Sequence, residues 1–469
     1  MTRFDLRLFL TLALKGCIMM VTSSCDTSPK AITPAPQDSV VTGTPPPNNG
    51  GLPEPDGPAV YLGQANNEEL IIDGQKQDFD CHSTIYIKGG NYRSIDIRNL
   101  ERSAGCPLTI TNQGRITLAG KNAELRISNA SHVTVTGDVT NGNEKGFNFL
   151  DNSYRALILS GRIHHVTLSN MAFKNISDYV ISYNNQTVFD GSDQTATKSL
   201  RILKMDCEAS GPFINFSGRK EGSTVIGLYK ELEIAHVNYY NSPSPGIIVF
   251  VPNAEAFNIH HNTINNVNTQ NEHHNAMFQI HGNGQFHNNY ISNHQGNALR
   301  SRPFSFGNTV KEVLIYNNIV INSRKYSAFE VQTFAEDLIH SANTVANVKV
   351  FNNTCGNLNL SSDWYGVVLD AYTISGGKCD VFNNLAFNLP APHPKSPIVS
   401  YMAINTDDLT DHSNFYYESA AAAGIIDETT LRLSSQSPNK NKGIKVTGLT
   451  TDYYGISRDS ERPSVGAVE

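Results

Sequence analysis

The chain has 469 residues, with 36 basic and 43 acidic side chains, a net charge of −7 and 39% hydrophobic residues. No basic stripe stands out against that acidic balance, which excludes nucleic acid as the expected partner. The length exceeds what one globular core supports, but a solenoid grows in one dimension and escapes that limit.

At the N-terminus, Arg3 and Arg7 precede the apolar run Leu8–Leu14, a charged start and short apolar stretch that read as a secretory signal over residues 1–24. Lys15 and Gly16 break the run, and even extended to Val21 it is too short for a spanning helix. Beyond it the chain carries 33 positive and 42 negative side chains, a net charge of −9. Thr22 Ser23 Ser24 Cys25 resembles a bacterial lipoprotein signal box, with Thr22 where leucine is usual. That resemblance implies an exported protein, lipid-anchored through Cys25 in the bacterial cell envelope, and cleavage without lipid is the alternative. Residues 25–58 are rich in Pro, Gly, Thr and Asn, including Pro45 Pro46 Pro47 Asn48 Asn49 Gly50, and read as a disordered tether.

From about residue 84, short alternating segments recur: Ile85 Tyr86 Ile87, Ile95 Asp96 Ile97, Leu125 Arg126 Ile127, Val133 Thr134 Val135. Each sets two branched side chains on one face and a polar one on the other, the pattern of a half-buried strand. Cys81 and Cys106 flank the first of them and are the expected disulfide in an exported chain. Of the five cysteines after Cys25, at least one among Cys207, Cys355 and Cys379 must stay free, as a small buried residue.

A phrase of one apolar residue, one aromatic or His, and two amide or imidazole residues then returns: Ile259 His260 His261 Asn262, Phe286 His287 Asn288 Asn289, Ile315 Tyr316 Asn317 Asn318, Val350 Phe351 Asn352 Asn353, Val381 Phe382 Asn383 Asn384. The steps are 27, 29, 35 and 31 residues, a solenoid period. Strands of three to five residues with several turns per period predict a parallel β-helix whose coils stack about 4.8 Å apart. Asn at such a corner adopts the left-handed conformation and bonds to the amides above and below, so these residues are assigned to structure.

The chain resembles the right-handed parallel β-helix (pectate-lyase-like) superfamily. Ile87 Lys88 Gly89 Gly90 Asn91 Tyr92 with Pro107–Asn112 resembles its first coils, and Asp452 Tyr453 Tyr454 Gly455, Arg458, Pro463 and Gly466–Glu469 resemble the closing segment of many bacterial members. The implied fold class is an all-β, single-chain right-handed solenoid of roughly ten or more coils over residues 59–390. A closing segment over residues 391–469 follows. The superfamily includes lyases, hydrolases, esterases and non-catalytic surface proteins, so the resemblance implies fold and not reaction.

About fifteen residues after each phrase a second strand recurs, and alternation sends Gln279, His281, Arg300, Arg302, Glu330, Gln332 and Asp370 outward on adjacent coils. Lys325 and Tyr326, and Trp364 and Tyr365, would flank that face, with Trp364, the only tryptophan, suited to stacking on a sugar ring. Neighbouring charges of mixed sign perturb one another's pKa values, which is how proton-transfer sites are made; a solvated ladder of ion pairs is the alternative. In uronate β-elimination, Arg300 and Arg302 would neutralise the carboxylate, with His281, Lys325 or Tyr326 transferring the proton. Glycoside hydrolysis would instead use Glu330 and Asp370 on consecutive coils. A non-catalytic glycan-binding or surface-display solenoid is the third reading.

Family lyases often hold calcium in a cluster of acids; no compact acidic cluster is present here, which leaves calcium dependence open. Seven histidines fall between His260 and His294. Adjacent strand residues point to opposite sides, so His260 with His261, or His273 with His274, read as turn and groove residues and not as a metal site. The expected partner is an acidic polysaccharide, bound by a monomer. Being exposed, Arg300 and Arg302 are expected to tolerate replacement by Ala without loss of stability.

Overall fold

The computed structural model describes residues 57–137, 145–334, 338, 343–404 and 406–469. The expected signal sequence, Cys25 and nearly all of the expected tether lie outside them. Among the described residues there is no α-helix, and almost every strand belongs to one continuous, mainly parallel system. Each coil contributes short strands to three faces, and each strand pairs in register with its counterpart one coil away.

On the first face the inward column runs from Leu70 and Ile95 through Val249, Phe278, Leu299, Phe329 and Leu369 to Val399. On the second, Ile234, Ile259, Phe286, Ile315, Val350 and Val381 align. On the third, Phe173, Cys207, Tyr239, Ile264, Ile291 and Val320 align, and Cys355 and Ala386 continue the column. All of these but Leu70, which is partly buried against it, lie in one elongated buried core. The strand Ala276–His287 serves the first and second faces in turn, and bends between them at Gly282 and Gly284. At φ 137° and 146° both leave the range open to other residues, and a Cβ on either would strike the backbone of Ala254 or Phe257 one coil below.

The amide phrase forms the corner between the second and third faces, and its two amide positions divide the work. The first takes left-handed φ of 51–57° at His261, Asn288, Asn317, Asn352 and Asn383. The second builds a buried ladder, in which the Nδ2 of Asn262, Asn289, Asn318, Asn353 and Asn384 donates to the Oδ1 one coil on, at 2.9–3.0 Å. Outside the corner a column of flat rings, His260, His287, Tyr316, Phe351, Phe382 and His412, stacks at centroid spacings of 4.7–5.3 Å. Successive rings meet within 11° of parallel, at the distance that coil spacing sets.

Parallel pairing continues past residue 390, through Leu409–His412 and Phe415–Tyr417. The chain after Tyr417 then runs back along the third face. Ala420, Ala423, Val465 and Ala467 cover Ile319, Ile321, Leu385 and Phe387 there. The corner asparagines hold this segment: Asn288 donates to the Tyr453 carbonyl, Asn317 to that of Thr451, and Asn383 to that of Ile444. Buried Arg458 donates from Nη2 to Asn317 Oδ1 at 2.9 Å. Cys81 and Cys106 are disulfide-bonded, and Cys207, Cys355 and Cys379 are all free and buried.

Candidate functional site

The outward column of the first face changes character along the solenoid. From Ile158 through Ser182 and Asn215 to Phe250 it holds no ionisable side chain. From there it reads Gln279, Arg300, Glu330, Asp370 and Ser400, each in register with the next. His281 and Arg302 form a second in-register pair two residues along. The inward partners Phe278, Ile280, Leu299, Phe329, Val331, Val367 and Leu369 are at most 1% exposed, so strand alternation sets the face as expected.

Glu330 is the hub. Arg300 grips it in a two-point bond, Nε to Oε1 at 2.8 Å and Nη2 to Oε2 at 3.0 Å. Gln332 donates to Oε1 at 2.8 Å, Asn297 donates to Oε2, and His274 Nε2 lies 3.2 Å from Oε2. Burial pushes the Glu330 carboxyl upward, but the His274 hydrogen bond and the Arg300 charge outweigh it and hold the group below its ordinary value. Asp370, one coil on and 5% exposed, has the opposite fate. Burial first, and then the Glu330 charge, push its carboxyl up to about 6 against the pull of the Tyr365 hydroxyl, which donates to Oδ2 at 3.0 Å. Asp370 Oδ1 is buried without a hydrogen-bond partner.

Arg300 therefore does not stand free to meet a substrate, and its expected tolerance of Ala is corrected. Its removal would strip a buried carboxylate of its main counter-charge. His281 lies with Nε2 3.2 Å from Gln279 Nε2 and its ring edge-on to Phe250. Burial, followed by the charges of Arg302, Lys220 and Arg300, lowers it to about 3, so it is a neutral imidazole surrounded by cations. The Arg302 guanidinium lies 5.9 Å from the Phe334 ring centre, and the Lys220 ammonium 3.9 Å from that of Phe304.

Loops raise an aromatic wall along the entry side of these strands. Tyr326 is buried and stacked at 4.0 Å under His274. Trp364, 48% exposed, lies 6.2 Å from Tyr326 and stacks on Tyr365 at 5.5 Å. Lys325 is engaged by Asp363 at 2.8 Å. Alternation thus brings the expected column together on one face, but the sequence leaves out Asn297 and Lys220 and has His274 only as a turn or groove residue. His274 carried a signal, since it stands in the histidine-rich stretch; Asn297 and Lys220 carried none. Two concavities, of about 410 Å³ around Ser177, Ser210 and Pro245 and about 260 Å³ around Lys349, Asp380 and Asp408, include no residue of this column.

His261 does stand in a turn, but one premise of the histidine reading is overturned. The argument that His260 and His261 diverge assumes both are in a strand, but His261 is a left-handed corner residue, and the two Nδ1 atoms meet at 2.7 Å. His236, His260 and His261 together bring three ring nitrogens within 4.8 Å of one another.

With the path of the backbone and this face described, the class is plain: the protein is an all-β, right-handed parallel β-helix. Among solved structures it is similar to the pectate lyase Pel9A, at 14% identity and a TM-score of 0.42, covering 86% of this chain and 96% of that one. It is also similar to the family 6 polysaccharide lyase Pedsa3628 from Pseudopedobacter saltans, at 11% identity and a TM-score of 0.44 over 84% and 99% of the two chains. A third, the family 6 alginate lyase AlyGC, matches at 13% identity and a TM-score of 0.37 over 86% and 58%. At such identities the likeness is one of fold. No protein-family model and no curated protein sequence matches the chain.

Proposed function

We propose that the polar face acts on an acidic polysaccharide and cleaves it by β-elimination beside a uronate carboxylate. The observation that carries this reading is the in-register pairing of His281 with Arg302 on the polar face, beside Gln279, with Lys220 and Arg300 near enough for their charges to bear on the imidazole. A uronate seated there would have its carboxylate neutralised by the Arg302 guanidinium and the Lys220 ammonium, which acidifies the adjacent C5 proton. Burial is the larger cause of the lowered His281, and the same carboxylate would offset the part that comes from the cations and so raise its basicity. His281 takes the C5 proton, the electron pair forms the C4–C5 double bond, and the bond from C4 to the glycosidic oxygen breaks. The imidazolium then returns the proton to the departing oxygen. Glu330 holds Arg300 in place, and Trp364 offers an apolar face to a neighbouring sugar ring.

The test compares an unmodified polyuronate with the same polymer after reduction of its carboxyl groups. Turnover of the first alone, lost in His281→Ala and Arg302→Ala, supports the reading; equal turnover of both polymers rejects the anionic subsite.

A second reading, glycoside hydrolysis, is favoured by one observation: Glu330 and Asp370 sit on adjacent coils with pKa values driven apart. Asp370 would be the acid. Against it, Glu330 already accepts from Arg300, Gln332, Asn297 and His274, which leaves it poorly placed as a nucleophile. Lipid anchoring through Cys25 remains part of the proposal and rests on residues 22–25 alone; incorporation of labelled fatty acid, abolished in Cys25→Ala, tests it.

A further inference from the structure

The corner column continues from the asparagines to two histidines, His236 and His261, at φ 57° and 54°. At Asn288 the C-terminal segment already lies over the corner, whereas His236 and His261 are exposed. His260 ends the strand Val249–His260, and the left-handed turn at His261 swings the next ring back toward it. Their Nδ1 atoms meet at 2.7 Å, and the His236 ring stacks on that of His261 at 5.2 Å.

A carboxylate orients this group from behind. Glu233 Oε1 lies 3.2 Å from His260 Nε2, and Arg201 Nε donates to the other Glu233 oxygen at 2.5 Å. A proton on Nε2 shared with Glu233 leaves Nδ1 of His260 with its lone pair toward His261. This is the arrangement in which an outer carboxylate fixes the tautomer of a metal-binding imidazole. Two imidazole nitrogens this close need something electrophilic between them, a proton or a cation.

We propose that His236, His260 and His261 form a binding site for a divalent transition-metal ion of the zinc, nickel or copper class. Imidazole nitrogens suit these ions, whereas calcium and magnesium prefer oxygen. Three nitrogens about 2.0–2.1 Å from a tetrahedral zinc lie about 3.3 Å apart. That falls between the 2.7 Å contact and the 4.8 Å limit of the group, so small side-chain rotations close the site. The fourth position faces solvent and would take water or a ligand atom. The site does not depend on the reading of the polar face, because it lies at the corner between the second and third faces.

Zinc is titrated into the metal-free, untagged exported chain, and cobalt is used to follow ligand-field absorption. One ion per chain is expected. His261→Asn installs the residue that the fold itself uses at the same corner at Asn288 and Asn317, so it removes the ligand while keeping the turn. It should weaken zinc binding by more than about tenfold and shift the cobalt spectrum, and Glu233→Gln should weaken binding about tenfold through loss of the outer carboxylate. His236→Asn reports on the same site from the preceding coil. Absence of stoichiometric binding in the parent protein, or His261→Asn and His236→Asn binding zinc as tightly as the parent, would overturn the proposal.

Discussion

Replacing Asp370 by Asn should make the protein more stable at neutral pH, which is unusual for a polar substitution at a buried position. In the fold the Asp370 carboxyl rises from 3.8 to about 6, through burial and the neighbouring Glu330 charge. A carboxyl raised in the native state leaves the unfolded chain binding fewer protons between those two values, so stability falls as pH climbs through that window. The difference corresponds to about 3 kcal/mol, absent below the unfolded value and fully present above about 6. Asn removes the charge and still accepts from the Tyr365 hydroxyl, but it can place an amide N–H where the unpartnered Oδ1 stands, at a cost of about 1 kcal/mol. A net gain of about 2 kcal/mol at pH 7 is expected, shrinking to nothing or a small loss near pH 4. Denaturant unfolding of both proteins at a series of pH values measures it, with the m value checked for constancy. A difference independent of pH, or a clear loss of stability at pH 7, would refute the electrostatic account of this pair. Activity adds a separate reading: elimination at His281 survives Asp370→Asn, whereas hydrolysis through the carboxylate pair does not.

Arg300→Ala should cost about 3 kcal/mol in unfolding free energy, because Glu330 stays buried without its two-point partner; Glu330→Gln in the same background should recover most of it, which a double-mutant cycle measures. Asn353→Leu leaves the Asn318 backbone N–H and one Asn318 amide hydrogen without the acceptor they share, for a loss of about 2–6 kcal/mol. Hydrogen exchange should show the flanking coils opening first, since a solenoid need not unfold as one unit. Asn317→Gly, by contrast, keeps the left-handed corner but loses the bonds to Thr451 and Arg458, and should loosen the C-terminal segment while sparing the coils, as protection of the two regions will show.

The coils were legible because each strand announces its buried face by alternation, and the corner announces itself by repeated amides. The same rule placed Gln279, Arg300, Glu330 and Asp370 on one face, since in-register parallel pairing leaves a strand no other choice once Phe278, Leu299, Phe329 and Leu369 point inward. What alternation does not govern was missed. His274 reaches the site from a turn and Lys220 from the hairpin Arg219–Glu221 with Thr224–Ile226, whose paths depend on tertiary packing, while Asn297 opens the strand Asn297–Phe306 at a position that simple alternation sends inward with Leu299. The pairing of Arg300 with Glu330 was foreseen only as the alternative, a ladder of ion pairs across coils, because a column of outward residues does not tell which partners close on one another. The histidine corner failed for the opposite reason: a strand rule was applied one residue too far, into a position with left-handed backbone. A corner flagged by Asn288, Asn317 and Asn352 at the same place in the phrase was the available signal for His261.

The central claim, that the polar face cleaves a polyuronate by elimination, is tested most directly by following ultraviolet absorbance while the purified chain is incubated with alginate, pectate and chondroitin, with and without calcium. The account predicts absorbance rising on at least one polymer, from the unsaturated uronate that elimination leaves, and no rise with His281→Ala. New reducing ends without that absorbance would contradict elimination and place the chemistry at Glu330 and Asp370; no turnover of any polymer would contradict catalysis on this face altogether.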